Sequence, residues 1–370
     1  MKKVLSLLLV ALFVVTCFTG CGDKATAGEF FIGATGPLTG DASSYGISVN
    51  NGALLAVAEI NAAGGLNGIQ FKFEMKDDKA TAEDAAAGYD SLMDAGMQIS
   101  IGSVTSGSCK SFASKSETDN LFFITPSASE AAVIEGRDNG FRVCFGDPDQ
   151  GTLAVKELKA AGYQNIGAIY DTSDSYSSGI FAAFKAEMQA QNMTFKEQSF
   201  DNENKKDFST QVEALKDCDV IFLPIYYTEA GLIAKACVAK GCTAVLFGCD
   251  GLDGVADQID ETVTNKISYI TPFDVNSTDA VPKAFVDAYK AKYNESPDQF
   301  AADGYDAIYA IYNAMKAANI TDADIEPSAL CEAVKKAITD ASFKLDGATG
   351  AMTWDASGAC TKVPQIVAVN

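Results

Sequence analysis

The chain has 370 residues, with 28 Lys and Arg against 49 Asp and Glu, a net charge of −21. Its length suggests roughly two domains, and 48% hydrophobic with 21% charged residues is an ordinary globular composition, not a disordered one. So acidic a balance excludes binding to a phosphate backbone and attachment to an anionic membrane through basic residues. Histidine is absent and Arg137 and Arg142 are the only arginines. Ser-His-Asp and Cys-His catalysis and every His-containing metal site are therefore excluded. A small anion would be held by backbone N–H groups, hydroxyls or lysines, with at most two arginines available as a bidentate clamp.

Residues 1–20 read as an export signal. Lys2 and Lys3 precede an apolar run from Val4 to Val15 that is too short to span a bilayer of about 30 Å. The run ends in FTGC, similar to a bacterial lipobox, with cleavage before Cys21 and a diacylglyceryl thioether on its sulfur. The alternative is an ordinary secreted chain with an unmodified Cys21. The small polar residues 21–29 read as a tether. Eight cysteines remain beyond Cys21, without a CxxC pair. Zinc and thioredoxin chemistry are not expected, and the best single guess at a disulfide is Cys331 with Cys360.

From Phe30 the pattern alternates. Apolar strands are expected at 30–36, 69–75, 98–104, 121–126 and 141–145, with helices over 46–62, 81–96 and 108–120 between them. Thr81 and Asp84 stand as a capping box. A second series follows, with helices at 149–162, 177–191, 209–217 and 229–241. Its strands lie at 165–171, 193–200, 220–227, 243–250 and 266–273. Three helical stretches come next, at 281–293, 299–318 and 327–341, then short strand-like pieces at 351–354 and 365–369. The expected fold is α/β, with two doubly wound parallel-sheet lobes. The last helices cannot form a sheet alone, so the lobes share segments: 30–147 with 274–350, and 148–273 with 351–370.

In open parallel sheets, ligands lie beyond the carboxyl ends of the strands. Ser106, Gly107 and Ser108 open a helix there. Hydroxyls and free N–H groups at a helix start can hold an anion without a cation, although simple capping by Ser106 would also explain it. Ser127 and Ser129 repeat the arrangement one strand away. Asp250 ends a strand and can meet a ligand ammonium, or it is simply the Asp of an Asp-Gly turn. Tyr45, Tyr176, Tyr226 and Tyr227 lie at the same strand ends, as pocket walls or as packing. The glycine loops lack GxGxxG and P-loop spacing, no EF-hand pattern occurs, and no carboxylate pair signals acid-base catalysis. No cofactor or metal is expected.

These loops carry a resemblance. IGATGPLTGDASSYG, NGALLAVAEINAAGGLNG, VTSGSCKSFAS, FFITPSASEA, FRVCFGDPDQG, YDTSDSYSSG and FGCDGL stand in the order seen in the branched-chain amino-acid binding proteins of bacterial ABC importers, the type I periplasmic binding proteins. The resemblance spans nearly the whole chain after the signal. It implies two lobes joined by three crossings, near 147, 273 and 350. It implies that Ser106 and backbone N–H groups bind a ligand carboxylate, that the Ser127 and Ser129 loop supplies a carbonyl and a hydroxyl, and that Asp250 meets the ammonium. Tyr45, Val104, Thr105, Tyr176 and Tyr226 match the side-chain pocket. YSSG replaces the usual YGxG, and Tyr226 and Tyr227 both compete for the place facing the ligand.

The expected function is a lipid-anchored solute-binding protein on the extracytoplasmic face of the cell membrane. It would be a monomer that closes on a free amino acid, aliphatic or otherwise apolar, and delivers it to a membrane-embedded ABC permease. A ligand without an amino-acid core, such as an amide, short peptide or aromatic acid, is the alternative. An enzyme is not expected, since only Ser108 with Lys110 could supply a nucleophile and base.

Overall fold

A computed structural model describes residues 28–369. The signal at 1–20 and the lipidation site Cys21 lie outside the described residues, as does most of the tether.

The first sheet contains β1 (Glu29–Gly36), β2 (Gln70–Asp77), β3 (Ile99–Ser103), β4 (Phe123–Thr125) and β5 (Gly140–Arg142). They lie in the order β2-β1-β3-β4-β5, and every pairing is parallel. Helices α1 (Ser43–Ala62), α2 (Ala82–Asp94) and α3 (Ser106–Asp119) connect the strands. A strand buried on both faces must send alternate side chains into two different layers. Phe30, Ile32 and Ala34 of β1 join Val49, Ala53 and Ile60 of α1, whereas Phe31 joins Tyr89, Leu92 and Phe112 of α2 and α3.

The second sheet has the order β13-β10-β9-β8-β6-β7. Its strands are β6 (Ile166–Asp171), β7 (Phe195–Phe200), β8 (Val220–Leu223), β9 (Val245–Gly248), β10 (Ile267–Thr271) and β13 (Gln365–Ala368). All pairings are parallel except that of β13, which returns antiparallel to β10. The helices here are α4 (Asp147–Ala160), α5 (Ser175–Ala190), α6 (Ser209–Leu215) and α7 (Tyr227–Lys240). Ala168, Val220 and Phe222 pack with Val155, Ile180 and Phe184 of α4 and α5, and Ile169, Ile221 and Leu246 pack with the α6 and α7 layer.

After β10 the chain returns to the first sheet through α8 (Ala280–Tyr293), α9 (Gln299–Ala317) and α10 (Pro327–Ile338), then forms a hairpin of β11 (Leu345–Gly347) and β12 (Gly350–Met352). Helix α9 lies directly on α1. A Cβ at Gly52 would fall 1.9 Å from the Ala301 carbonyl oxygen, and one at Gly304 would fall 2.5 Å from that of Val49. The two glycines let the backbones touch.

The expected strand-helix alternation is present throughout. Several helices start two or three residues before their apolar periodicity does: α1 at Ser43, α3 at Ser106, α4 at Asp147 and α5 at Ser175. First-turn residues have N–H groups to satisfy, not apolar surface to bury, so periodicity does not mark them. Thr81 caps α2, its hydroxyl accepting the Asp84 N–H at 3.1 Å, but its own N–H goes to the Asp78 carbonyl at 2.7 Å, so the box is one-sided. The Cys331–Cys360 pairing is not formed. All eight cysteines described are free thiols. Cys331 donates to Asn120 Oδ1 and Cys360 to the Cys144 carbonyl oxygen, each at 3.5 Å.

The last passage between the sheets is pinned by a buried ion pair. Lys362 Nζ lies 2.7 Å from Asp303 Oδ1 of α9, and the two side chains are 0% and 1% exposed. One turn on, Asp306 accepts the N–H groups of Ala348 at 2.7 Å and Thr349 at 2.9 Å. Removing one member of a buried pair strands the other charge, whereas removing both does not. Lys362→Met is therefore expected to lower the urea-unfolding free energy by about 3 kcal/mol, with much of it recovered when Asp303→Asn is added. Additive losses in the double variant would refute the pair's role.

Candidate functional site

The carboxyl ends of both sheets face each other, and most of the residues singled out from sequence converge there. Tyr45, Val104, Thr105, Ser106, Ser127, Tyr176, Tyr226 and Asp250 line one small cavity, together with Gly251 and Phe300. Its free volume is about 10 Å³, room for about one water.

The first sheet contributes polar groups. Ser106 is the first residue of α3, after Thr105, and no side chain caps that helix. Simple capping by Ser106 is therefore not its role. Its hydroxyl accepts the Glu130 N–H at 3.3 Å. The Ser127 hydroxyl donates to the Val104 carbonyl at 2.7 Å. Thr105 Oγ1 is buried without a hydrogen-bond partner. An uncapped helix start flanked by hydroxyls is an anion site of partial positive charge. Ser129 lies next to the cavity and is fully buried, but it does not line it.

The second sheet contributes the negative end. Asp250 follows β9 in a short 3-10 turn and is 3% exposed. Tyr176 Oη donates to its Oδ1 at 2.7 Å and itself accepts the Gly251 N–H at 2.8 Å. Gln150 Oε1 accepts the Asp250 N–H at 3.1 Å. Burial pushes the Asp250 carboxyl up to about 6, with Tyr176 and Gln150 pulling it back. A Cβ on Gly251 would lie 2.6 Å from Tyr176 Oη and 2.9 Å from the Ile225 carbonyl oxygen, so the closed arrangement requires glycine.

Aromatic rings form the rest of the wall. Tyr45 packs on Phe300 at 4.1 Å between centroids and meets the edges of Tyr226 at 5.5 Å and Tyr227 at 4.9 Å. Tyr226 stacks on Tyr176 at 5.0 Å. The Tyr45 hydroxyl donates to the Gly251 carbonyl and accepts the Tyr227 N–H at 3.3 Å, so this residue of the first sheet's helices bonds directly to both loops of the second. Of the two adjacent tyrosines, Tyr226 lines the cavity and Tyr227 begins α7. Tyr176 lines the cavity despite the SSG that follows it.

Tyr226 also lines a wider outer cavity of about 580 Å³ at the mouth of the cleft. There Lys205 Nζ reaches Asp41 at 3.1 Å and Glu229 at 3.8 Å, and the Thr228 hydroxyl donates to the Asp41 carbonyl at 3.1 Å. Asp174, which caps α5, is pushed up to about 6 by burial. Neither arginine lines the inner cavity. Arg137 pairs with Glu117 at 3.2 Å, and Arg142 donates to the Ser129 carbonyl.

Sequence reasoning missed Phe300, Gly251 and Gln150. Phe300 stands in the first turn of α9, capped by Asp298, and the helix-start reasoning applied to Ser106 would have flagged that turn. Gln150 carries no signal, because only the packing of α4 brings it to Asp250.

This architecture of two facing α/β units with the site between them is that of the type I periplasmic binding proteins. The family model for periplasmic binding proteins matches residues 29–362, and the chain belongs to that family, in its branched-chain amino-acid-binding group. It is 28% identical to the Leu/Ile/Val-binding protein BraC3 of Rhizobium johnstonii, over 90% of this chain and 89% of that one. It is 26% identical to the Leu/Ile/Val-binding protein of Escherichia coli, over 91% and 89%. Among solved structures, a leucine-binding protein of Thermotoga maritima superposes with a TM-score of 0.82 at 26% identity, covering 91% of this chain and 94% of that one. A branched-chain amino-acid substrate-binding protein of Streptococcus pneumoniae in complex with isoleucine gives 0.81 at 28% identity, covering 91% and 95%. A solute-binding protein from R. palustris in complex with benzoate shares the fold, with a TM-score of 0.81 at 19% identity and 93% and 94% coverage. Family membership implies a place outside the cytoplasm. Among the described residues no helix is long and apolar enough to cross a membrane.

The buried carboxyls set a pH dependence. Asp250 and Asp174 are raised to about 6 from an ordinary 3.8. Between those values the folded chain holds protons that the unfolded chain has lost, so stability falls as pH rises through that window. Exposed carboxylates held low by hydrogen bonds, such as Asp219, act oppositely and only at more acid pH. The ligand-free protein is expected to melt at a higher temperature at pH 5 than at pH 8 in scanning calorimetry, with a smaller difference in Asp250→Asn. A melting temperature that rises from pH 5 to pH 8 would contradict this.

Proposed function

We propose that the protein is the lipid-anchored receptor of an ABC importer, that it closes on a free α-amino acid with an aliphatic or otherwise apolar side chain, and that it passes the ligand to a membrane permease. The observation that carries this reading is the polarity of the cavity. A partly positive, hydroxyl-flanked helix start faces a single buried carboxylate across aromatic and apolar walls. That is the complement of a zwitterion with a hydrophobic side chain.

In this reading residues 30–147 and 274–350 form one lobe, and 148–273 and 351–370 the other. Ser106 and the N–H groups at the start of α3 hold the ligand carboxylate. Ser127 and Ser129 supply a carbonyl and a hydroxyl, and Asp250 meets the ammonium. Tyr45, Val104, Thr105, Tyr176 and Tyr226 enclose the side chain, with Phe300 beside them. A residual volume of about 10 Å³ cannot admit leucine, so the lobes part for entry and close afterwards. The groups that stabilise closure without ligand are Tyr45 against Gly251 and Lys205 against Asp41. Ligand shifts the equilibrium because Asp250 gains its ammonium only when both lobes contact it. Signal cleavage and acylation at Cys21 would keep the receptor at the membrane, and a monomer suffices, since one chain supplies every wall of the cavity. The relatives named above as binding Leu, Ile and Val support the ligand class.

Calorimetric titration of the twenty amino acids is expected to find an aliphatic one that binds. Asp250→Ala is expected to weaken it by roughly a hundredfold, as for loss of a buried charged partner. No binding by any amino acid, or unchanged affinity in the variant, refutes the assignment. Loss on Ser106→Ala with none on Asp250→Ala would instead point to a ligand without an ammonium, such as an aromatic acid.

A further inference from the structure

The end of α7 away from the cavity carries two thiols that ligand binding does not use. The helix closes in a Schellman turn. Gly241 takes the left-handed conformation, with φ 65°. Its N–H donates to the Val238 carbonyl at 3.2 Å, and the Cys242 N–H donates to the Cys237 carbonyl at 2.9 Å. In that motif the residue making the outer bond packs its side chain on the residue whose carbonyl it takes. Both of those positions are cysteine here.

The backbone bond limits how far apart the two residues stand. A carbonyl oxygen lies about 2.4 Å from its own Cα, and an amide nitrogen about 1.5 Å from its own. With 2.9 Å between that oxygen and that nitrogen, the two Cα atoms are at most about 6.8 Å apart, within the span of a disulfide. The side chains meet as well, since the two thiols are in hydrogen-bonding contact. Both are free and buried, at 0% and 3% exposure. The Asn265 amide donates to the Cys242 carbonyl at 3.0 Å and to the Ala244 carbonyl at 2.8 Å, which holds the turn in place. Cys331 and Cys360 differ, because each bonds to an oxygen and not to a thiol. Burial raises the Cys237 thiol, and Cys242 beside it raises it further. A thiol kept neutral exchanges slowly, so oxidation belongs to the stage when the end of α7 is still open. Family membership puts that folding outside the cytoplasm, where disulfides persist.

We propose that Cys237 and Cys242 are oxidised to a disulfide as the chain folds outside the cytoplasm, and that this bond clamps the last turn of α7. The proposal goes beyond the ligand reading and holds whichever ligand is bound. The oxidant is a protein or small-molecule disulfide. The thiolate of one cysteine attacks a sulfur of that disulfide, forming a mixed disulfide and expelling one thiol. The thiolate of the other cysteine then attacks the joined cysteine sulfur and expels the second thiol. Two electrons pass to the oxidant, and the two protons given up by the cysteines are balanced by those its departing thiolates take up. Closure of the turn then shields the new bond from reductants. Because α7 begins at Tyr227 beside the cavity, a clamp at its other end steadies the helix without touching the ligand.

The test unfolds and reduces the protein in urea, then refolds it with reduced and oxidised glutathione. Free thiols are alkylated with iodoacetamide before tryptic digestion. Cleavage after Lys235, Lys240 and Lys266 separates residues 236–240 from 241–266. The expected product is those two peptides joined, with fragmentation placing the bond on Cys242 and not on Cys249. The oxidised protein is expected to melt about 3 °C above protein refolded in reductant, as for closure of a short loop, and Cys237→Ala is expected to abolish the difference. Recovery of both peptides alkylated and unlinked overturns the proposal. So does a bond from Cys242 to Cys218, the other thiol near it, or one from Cys237 to Cys249. Equal melting of the oxidised and reduced proteins, or a difference that persists in Cys237→Ala, overturns the clamp.

Discussion

A carboxylate removed from water must be matched by donors or it takes up a proton, and Asp250 is the place where this chain confronts that requirement. Its oxygens meet Tyr176, its N–H meets Gln150, and the Gln299 amide lies 3.4 Å from its carbonyl. Those three partners come from α5, α4 and α9. Seating this one residue, its carboxylate on Tyr176 and its backbone on the two glutamines, thus brings the helices of the second sheet to the start of a helix that packs on the first. The Tyr45 bridge to Gly251 and the close seat of Gly251 under Tyr176 follow from the same geometry. Burial without a full cationic partner keeps the group's pKa high.

The chain handles its other buried charges sparingly. Lys362 answers Asp303, and backbone N–H groups answer Asp306. Arg142 serves architecture. Its guanidinium holds the Ser129 carbonyl, its N–H donates to Gly358 at 3.0 Å, and its carbonyl accepts from the Trp354 indole at 2.7 Å. These bonds join β5 to the segment returning toward the second sheet. The surplus acid, −21 overall, lies mostly in solvent-facing residues and serves solubility.

Much of the fold was legible because its signals are local. The apolar run at 30–36, the alternating strand at 69–75 and helices ended by glycine read directly from the chain. Helix starts were less clear, since Ser43, Asp147 and Ser175 are marked by hydrogen-bonding need and not by apolar spacing. The loops at the strand ends were also legible, because parallel topology places every such loop on one edge. Ser106, Ser127, Tyr176, Tyr226 and Asp250 come from five different loops and still share one cavity. Ser129 stops one layer short of it. Which of Tyr226 and Tyr227 lines the cavity depended on where α7 begins, and Phe300 arrives from a helix far along the chain. The guess that Cys331 pairs with Cys360 failed because sulfur proximity is a tertiary property: one thiol sits on α10 beside Asn120, the other beside the Cys144 carbonyl.

By itself the sequence determined the class of fold, the absence of histidine chemistry, and the set of polar strand-end residues from which a site could be built. These follow from composition and from interactions between residues close in the chain. The tertiary structure alone decided that Tyr176 shields Asp250 and that Gln150 and Phe300 belong beside it. Each of those depends on how deeply a group is desolvated and on which distant group lies within about 3 Å of it. Neither quantity exists until the two sheets have been brought face to face.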